Sequence, residues 1–482
     1  MDEINRIIAE GANAAMSLEE IIKLEVDEWL SSEERMWMLT GQRYYIGETD
    51  ILNRKRTAIG EDGELVEVKN LANNKLVHNF VRKLVDQKVG YLLGLPLTVR
   101  TNNKEYQELL NEIFDKQFMR ALKNLGKEAI NKGKAWLHVY YNEEGQLSFK
   151  KIPSEEIVPL WRDAAHTELD AVIRVYEIEA FEGQQKTTIT KVEFWNQEGV
   201  RRYELQEGEL IPDVEAGEFS GHFQMVVGDQ AIDMNWERIP FVCFKYNDEE
   251  IPLIKYVKTL VDDYDKHVSE HSNNLEDLPN SIYVVKNYDG TDLGEFRHNL
   301  SVFRAVKVTD DGGVDTLDLK IDSEAYKVHI EQLRKDIYEF GRGVDTQAER
   351  FGGDRSGVAL RFLYADLDMD CNIIETEFQA SLEQLRWFID QHIVNTTNKD
   401  FSNETVEFIF SRDIIINEAE VIAMARNSVG ILSDETIIAN HPWVTNAQEE
   451  MERIRRQRQE DLARFQRGEY QGLESSAGDE TE

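Results

Sequence analysis

The sequence contains little cysteine and no long apolar run. Cys243 and Cys371 are the two cysteines among 482 residues, too few for the disulfide framework of a small secreted domain. No apolar stretch approaches the roughly 18 residues that a membrane-spanning helix requires. The N-terminal segment MDEINRIIAEGANAAMSLEE places acidic residues where a signal peptide has basic ones. We therefore expect a soluble protein made in a reducing cytoplasm, with no membrane contact.

Basic residues are also scarce. The chain has 55 Lys and Arg against 92 Asp and Glu, a net charge of −37. A protein that binds nucleic acid tightly and statically usually presents a basic face and has a high pI, so this balance argues against such a role. Transient contact stays open, because a negative wall would repel phosphate and let it pass. The apolar fraction of 41% is typical of a globular protein.

The pattern of apolar residues predicts an α+β body followed by long helices. Helical spacing dominates the first 130 residues, and alternation from Lys134 onwards predicts a hairpin and further strands, so that 1–250 forms one body. Two helices, 254–277 and 323–342, bracket a small β module. A helix of some 38 residues follows, with Ser356 as its N-cap.

Three local signals refine this prediction. Ser31 with Glu34 is typical of a capping box. An apolar stripe from Leu76 to Val89 predicts a helix that ends at Gly94. Ser433 is placed to cap a short helix near the C-terminus.

The glycine-rich segment ERFGGDRSGVALRF, 349–362, raises the question of phosphate binding. It lacks the lysine of a Walker loop and the G-x-G-x-x-G of a dinucleotide site, and a helix precedes it instead of a strand. A nucleotide pocket is therefore disfavoured. Two readings stay open: a plain helix–helix connector, or a loop presented to a partner, with Arg350 and Arg355 on either side of Gly352 and Gly353.

The segment HVSEH matches the inverted zinc-peptidase pattern H-x-x-E-H. His267 and His271 would bind zinc, Glu270 would act as the base, and Glu349 or Glu324 could supply a third ligand. A solvated helix face explains the same residues more simply. No other nucleophile or metal pattern stands out, so we expect no catalytic residue, no metal and no cofactor.

The segment GQRYYIGETDILNRKR, 41–56, combines tyrosines with basic residues. Such a cluster could stack on nucleic-acid bases. A packed surface corner with extended Arg and Lys side chains is the favoured alternative.

The order of five segments resembles that of the portal proteins of tailed bacteriophages, in particular those of phages with long non-contractile tails. These segments are GQRYYIGETDILNRKR, NKLVHNFVRKLVDQKVGYLLGLPLTV, the helix–β module–helix block of 254–342, ERFGGDRSGVALRF, and ILSDETIIANHPWVTNAQEEMERIRRQ. Each is weak alone, but their common order covers nearly the whole chain.

This resemblance implies an α+β portal fold with named parts. They are an α/β wing (1–250), a first stem helix (251–278), a small α/β clip (279–322), a second stem helix (323–342), a tunnel loop (343–355), a long helix linking wing and crown (356–400), a helical crown (401–467) and a disordered acidic tail (468–482).

The resemblance also implies a function and partners. Portal proteins form a ring, usually of twelve copies, at one capsid vertex of the virion, and assemble in the host cytoplasm. Double-stranded DNA passes through the channel during packaging and ejection. The implied partners are the terminase motor, major capsid and scaffolding proteins, and head-completion or connector proteins. Portals are not enzymes, since ATP hydrolysis belongs to the terminase. The alternatives are the zinc peptidase and a scaffold without a channel.

The tunnel loop carries the site residues that the resemblance implies. They are Gln347, Glu349, Arg350, Phe351, Gly352, Gly353, Asp354 and Arg355, with hinges at Gly343 and Gly357. We expect Arg350 and Arg355 to touch DNA phosphates transiently and Phe351 to serve as a packing anchor or wedge.

Overall fold

The computed structural model is a mixed α+β chain. It describes residues 17–59, 63–68, 71–182, 185–227, 230–276, 281–288, 294, 296, 298, 308–318, 323–347, 357–412, 418–439, 441, 443–444 and 447–466. Internal contacts divide the chain into two compact units. The larger comprises Met1–Thr346 with Asp366–Asp413, and the smaller comprises Gln347–Ala365 with Ile414–Glu482.

The helices of the described residues vary widely in length. They are α1 (Leu18–Ser31), α2 (Glu33–Tyr45), α3 (Phe80–Leu93), α4 (Lys104–Ile113), α5 (Lys116–Lys132), α6 (Ile254–Glu276), α7 (Ser323–Phe340), α8 (Gly357–Thr397), α9 (Glu418–Asn427), α10 (Asp434–Ala439) and α11 (Ala447–Gln466). None of them is both long and apolar enough to cross a membrane.

The strands pair antiparallel throughout the described sheets. They are β1 (Thr57–Ile59), β2 (Leu65–Glu67), β3 (Thr98–Thr101), β4 (Lys134–Tyr141), β5 (Leu147–Ile152), β6 (Ile157–Trp161), β7 (Leu169–Glu182), β8 (Gln185–Asn196), β9 (Gly199–Gln206), β10 (Glu209–Pro212), β11 (Phe219–Ser220), β12 (Phe223–Val227), β13 (Gln230–Met234), β14 (Phe241–Lys245), β15 (Ser281–Tyr288), β16 (Val308–Asp318) and β17 (Val406–Ile409). The largest sheet has the order β10-β9-β8-β7-β6, with β11 also on β9.

The core of the larger unit lies between the first helices and this large sheet. Ile22 and Val26 of α1 are fully buried against Ile173 and Val192 of β7 and β8. Alternate residues of each strand face these helices because strand side chains alternate with a period of two. Burying such aliphatic side chains contributes about 1.5–3 kcal/mol each.

The predicted hairpin that begins at Lys134 is confirmed. β4 pairs with β5 from Trp136↔Ile152 to Tyr141↔Leu147, and β14 lies on the other edge of β4. Every residue of β14 is buried, in agreement with its prediction as a core strand.

The predicted capping box at Ser31 is wrong by one residue. Ser31 is the last residue of α1, and its hydroxyl donates to the Asp27 carbonyl at 3.0 Å. Ser32 caps α2 instead, since its hydroxyl oxygen accepts from the Arg35 N–H at 3.2 Å. The capping-box pattern selects Ser31, because the residue three positions after Ser32 is Arg35 and not Glu or Gln. Ser32 therefore caps α2 without a capping box.

The long helices appear where their spacing predicts them, as α6, α7 and α8. The segment 401–467 differs from its all-helical prediction. β17 pairs with β3 from Val406↔Thr101 to Ile409↔Thr98, so this strand belongs to the larger unit. Alternation over four residues is too short to be distinguished from the flanking helical pattern. The Ser433 cap is confirmed, since its hydroxyl accepts from the Thr436 N–H at 3.3 Å.

Candidate functional site

The segment 341–346, which we call the junction segment, follows the end of α7 and includes the first residues of the predicted tunnel loop, 343–355. A Cβ atom at Gly343 would lie 2.2 Å from the Leu84 Cδ2 atom of α3, and one at Gly341 would lie 2.6 Å from Leu84 Cδ1. Neither glycine requires a positive φ, whereas Arg342 between them adopts φ 48°. The two glycines therefore allow the chain to pack closely on α3.

Side chains of α3 fasten the junction segment further. The Gln87 amide donates to the Val344 carbonyl at 2.6 Å and accepts from the Val344 N–H at 3.1 Å. Lys83 Nζ donates to Thr346 Oγ1 at 3.3 Å. The guanidinium group of Arg334, on α7, donates to both carboxylate oxygens of Asp345, at 2.7 and 2.8 Å. The chain is thus held residue by residue up to Thr346.

A buried ionic cluster lies beneath the junction segment. Lys88 of α3 is fully buried, and its Nζ lies 2.7 Å from Asp370 of α8. The same ammonium group donates to the Arg342 carbonyl at 3.1 Å. Arg342 reaches the other carboxylate oxygen at 3.1 Å, and the Tyr246 hydroxyl donates to Asp370 at 2.8 Å. Burial, together with Asp370, raises the pKa of Tyr246, so its hydroxyl stays a donor.

This cluster links three parts of the larger unit. Asp370 accepts bonds from α3, from the end of α7 and from the chain after β14. A buried carboxylate with several donors is stable because its lost hydration is replaced. The nearby thiol of Cys371 is also buried, and burial raises its pKa to about 12. It is therefore unreactive as a nucleophile.

The structure describes part of the predicted tunnel-loop set. Gln347 is exposed and lies in a turn directly after the junction segment, and Gly357 is the first residue of α8. Glu349, Arg350, Phe351, Gly352, Gly353, Asp354 and Arg355 lie outside the described residues, as does the predicted cap Ser356. Gly343 lies in the junction segment, packed on α3.

A polar stripe on α6 holds the segment before α3, which the sequence did not reveal. Asp265, Ser269 and Asn273 are buried. Their side chains accept from the backbone N–H groups of His78 at 2.9 Å, Leu76 at 2.9 Å and Asn74 at 2.6 Å, respectively. Four residues of a helix advance about 6.0 Å and two extended residues advance about 6.6 Å, so the two spacings nearly match.

This contact also corrects the prediction for residues before α3. The sequence pattern predicts Leu76 and Val77 on the apolar stripe of a helix, but α3 begins at Phe80. The preceding chain runs extended along α6. The available signal was the i, i+4, i+8 spacing of Asp265, Ser269 and Asn273 beside an apolar stripe.

At Tyr44 the tyrosine-rich segment 41–56 forms a packed corner, while Tyr45 is half-exposed with Arg82 and Lys127 near its ring. Tyr44 is fully buried, and its hydroxyl donates to Asp262 of α6. Asp50 binds Arg43 at 2.7 Å and Lys258 at 2.5 Å. Burial alone raises the pKa of the Asp50 carboxyl, but the bonds from Lys258 and Arg43 lower it to about 2. Tyr44 therefore offers no open face to a base.

The HVSEH residues do not gather into the predicted peptidase site. The His271 ring stacks on Tyr326 of α7, with ring centroids 4.1 Å apart. Glu270 binds Arg54 at 2.7 Å, and an engaged carboxylate is a poor general base. The proposed ligand Glu349 lies outside the described residues. Within the described part of the chain, the group that could share an ion omits both Glu270 and His271.

Comparison with known proteins gives similarities over nearly the whole chain. The family described as "Phage portal protein, SPP1 Gp6-like" matches residues 31–463. The portal protein of Bacillus phage SPP1 is 32% identical over 484 residues, which cover 99% of this chain and 93% of that protein. The portal protein of Clostridium phage phiCD119 is 32% identical over 431 residues, 86% of this chain and 91% of that protein.

Among solved structures, the neck of a native GTA particle computed with C12 symmetry is similar to this chain with a TM-score of 0.37. The sequence identity is 11%, and the match covers 75% of this chain and 89% of the other.

Proposed function

This chain belongs to the family of phage portal proteins of the SPP1 Gp6-like type, and we propose on that premise that it forms the ring-shaped channel at one vertex of a phage capsid. Double-stranded DNA passes through this channel when the genome is packaged and when it is ejected. The observation that carries the proposal is the family match over residues 31–463, together with two portal proteins at 32% identity.

The parts of the chain are assigned to the parts of a portal as follows. Residues 1–250 form the wing, to which β17 adds through its pairing with β3. The helices α6 and α7 form the stem, and 279–322, which contains the β15–β16 pair, forms the clip. Residues 343–355 form the tunnel loop, α8 links wing and crown, and the helices from Glu418 onwards form the crown. The acidic segment 468–482 follows the crown.

The partners of this ring are its own copies, the terminase motor, the major capsid and scaffolding proteins, and a head-completion or connector protein. It acts in the virion and is assembled in the host cytoplasm. The role is structural. The ATP hydrolysis that drives packaging is left to the terminase.

The charge of the chain suits a conduit. A basic channel would neutralise many phosphates and bind DNA strongly, with a steep dependence on salt. The net charge of −37 favours the opposite behaviour, in which DNA meets few fixed cations and slides. Arg350 and Arg355 would supply brief phosphate contacts within an otherwise negative wall.

The hydrogen bonds of the junction segment support the proposal that the tunnel loop is anchored at its start. Gln87, Lys83 and Arg334 bind the backbone or side chains of 344–346. We assign Gly343 to the anchored base, because its position leaves no room beside Leu84. The part of the proposed tunnel loop beyond this anchored base lies between Thr346 and the start of α8 at Gly357.

An experiment on the two loop arginines tests this function. The double variant Arg350→Ala/Arg355→Ala is compared with Arg100→Ala/Arg453→Ala, which removes the same charge from exposed positions. Both purified proteins should form rings with a central hole in negative-stain electron micrographs. In a phage that depends on the supplied portal, the loop variant should package or retain less DNA per capsid, and the control should match the wild type.

Two outcomes would contradict the proposal at different levels. Wild-type protein that forms no ring would remove the channel function itself and would favour a scaffold without a channel. Rings that package and retain DNA normally with the loop variant would leave the channel in place but remove the role of Arg350 and Arg355.

A further inference from the structure

Three side chains from α6 and α7 converge on one point at the seam between these helices. Asp263 and His267 lie one turn apart on α6, and His329 reaches them from α7. His267 Nε2 lies 3.4 Å from Asp263 Oδ1, and His329 Nε2 lies 3.6 Å from Asp263 Oδ2. One ligand atom from each of the three residues lies within 4.8 Å of the other two.

The charge around Asp263 differs from that around its acidic neighbours. Asp262 binds Lys258 at 2.6 Å, and Glu270 binds Arg54 at 2.7 Å. The ion-pair partners of Asp263 among the described residues are His267 and His329, which carry a positive charge only when they are protonated. Unprotonated imidazole nitrogens and a carboxylate form a set of lone pairs that a cation can share.

The second nitrogen of His267 lies near a carboxylate, although beyond hydrogen-bond distance. Its Nδ1 atom faces Glu270 Oε2 at 3.7 Å, on the side of the ring away from Asp263. Arg54 holds Glu270 in that position. Histidines that bind metals usually direct their other nitrogen to a carboxylate or carbonyl, which fixes the ring and raises its basicity.

We propose that Asp263, His267 and His329 bind one divalent ion of the zinc type and so link α6 to α7. Zinc takes His nitrogens and carboxylate oxygens at about 2.0–2.2 Å, so the ligand atoms of a tetrahedral site lie about 3.4 Å apart. His267 Nε2 lies 3.4 Å from Asp263 Oδ1 and His329 Nε2 lies 3.6 Å from Asp263 Oδ2, so each histidine is at this spacing from one carboxylate oxygen. With one ligand atom taken from each residue, the three atoms lie within 4.8 Å of one another, and small side-chain rotations would bring them to the tetrahedral spacing. Rotation of the exposed His329 ring can bring its nitrogen closer to His267, and water completes the fourth position.

This site differs from the one that the sequence suggests. The HVSEH pattern pairs His267 with His271 and would form a catalytic zinc site, whereas the sequence as a whole predicts no metal. The structure instead brings in His329, which lies far away in the sequence, and stacks His271 on Tyr326. An ion held between two helices stabilises their packing. The proposal does not rest on the channel function, because it concerns two helices of a single chain.

Zinc binding to the full-length chain, purified without a histidine tag, tests the site. Isothermal titration with Zn²⁺ in excess Mg²⁺ should show about one ion per chain. His329→Gln should weaken this binding at least tenfold, as the loss of even a supporting metal-site residue does. Asp263→Asn should act similarly, and the control His271→Gln should leave the affinity unchanged. Zinc should also raise the midpoint of thermal unfolding of the wild type but not of His329→Gln.

A second measurement avoids any substitution. Cu²⁺ bound to the wild-type chain should show two coordinated imidazole nitrogens in its electron paramagnetic resonance spectrum. Absence of zinc binding in excess Mg²⁺, equal affinity in His329→Gln, lost affinity in His271→Gln, or a copper signal with fewer than two imidazoles would each overturn the proposal.

Discussion

Buried lysines with acidic partners are prominent in the larger unit, and Lys134 illustrates their cost and benefit. This side chain is 2% exposed, and its Nζ lies 2.6 Å from Glu250 and 2.7 Å from Glu34. Glu250 also lies 2.7 Å from His166. A buried charge of this kind is tolerated because its partners replace the lost hydration.

Glu250 should make the stability of the chain depend on acid. Burial by itself raises the pKa of its carboxyl, but Lys134 and then His166 lower it to about 2 from an ordinary 4.5. A lowered carboxyl pKa stabilises the folded state above pH 4.5, and that contribution, on the order of 3 kcal/mol, is lost as the pH falls towards 2. Denaturant unfolding at several pH values measures the slope.

The variant Glu250→Gln should lose this slope and should be less stable at neutral pH by about 3 kcal/mol, because Lys134 loses its more buried partner. The matched control is Glu209→Gln, which removes an exposed carboxylate paired with Lys23 and should leave the stability unchanged. An unaltered acid slope in Glu250→Gln would assign the acid sensitivity to other groups.

At the scale of elements, α6 is held to the segment before α3 by hydrogen bonds from Asp265, Ser269 and Asn273. Replacing Ser269 with Ala leaves the Leu76 N–H without its acceptor. Leu76 is 39% exposed, so water can partly replace the lost acceptor, and the net contribution of a typical intramolecular hydrogen bond, about 0.5–1.5 kcal/mol, applies. We expect the free energy of unfolding to fall by that amount and the Leu76 amide to exchange its hydrogen faster.

The matched control for this prediction is Lys266→Ala, on the exposed face of the same helix. It should leave both measurements unchanged. If Ser269→Ala and Lys266→Ala gave the same free energy of unfolding and the same exchange rate, the hydrogen bond from Leu76 would contribute nothing to stability.

The contrast between α6 and the segment before α3 shows what the sequence could predict at the scale of elements. Apolar spacing located α6 and α8, because each buries apolar residues at helical spacing, from Ile254 in α6 and from Leu367 in α8. The same rule extended α3 backwards over Leu76 and Val77, since two apolar residues fit a helix or an extended chain equally. Their backbone follows α6 because of polar side chains about 190 residues later, and such a partner is invisible to local pattern.

At the scale of the whole molecule, the net charge should govern assembly. Each copy carries −37, so bringing copies together is opposed by repulsion that salt screens over about 10 Å at 0.1 M. We expect rings to dissociate at low ionic strength and to reform when salt is added. Native mass spectrometry or light scattering across a salt series measures this, and rings that are more stable at low salt would contradict it.

The prediction of the function from the sequence depended on the order of segments more than on the composition. Charge and cysteine content excluded several classes of protein, but they did not identify a channel. Five short segments in a fixed order did, and the family match over 31–463 confirms the resemblance. The site was harder to predict. Arg350 and Arg355 stay predictions, whereas the anchoring role of Gln87 required a contact between residues far apart in the sequence.

The hydrogen bonds that anchor the junction segment to α3 also limit the reach of the chain that follows it. Thr346 is bonded to α3 and α8 starts at Gly357. The chain between them therefore has a fixed maximum length, which its number of residues sets. At about 3.5 Å per residue, a loop that leaves and returns can extend no more than about 19 Å from its attachment points. The number of residues between these two points therefore limits how far this segment can extend. Each residue inserted into or removed from this segment changes its maximum reach by roughly 1.8 Å. In the proposed tunnel loop, that reach would have to match the width of the channel.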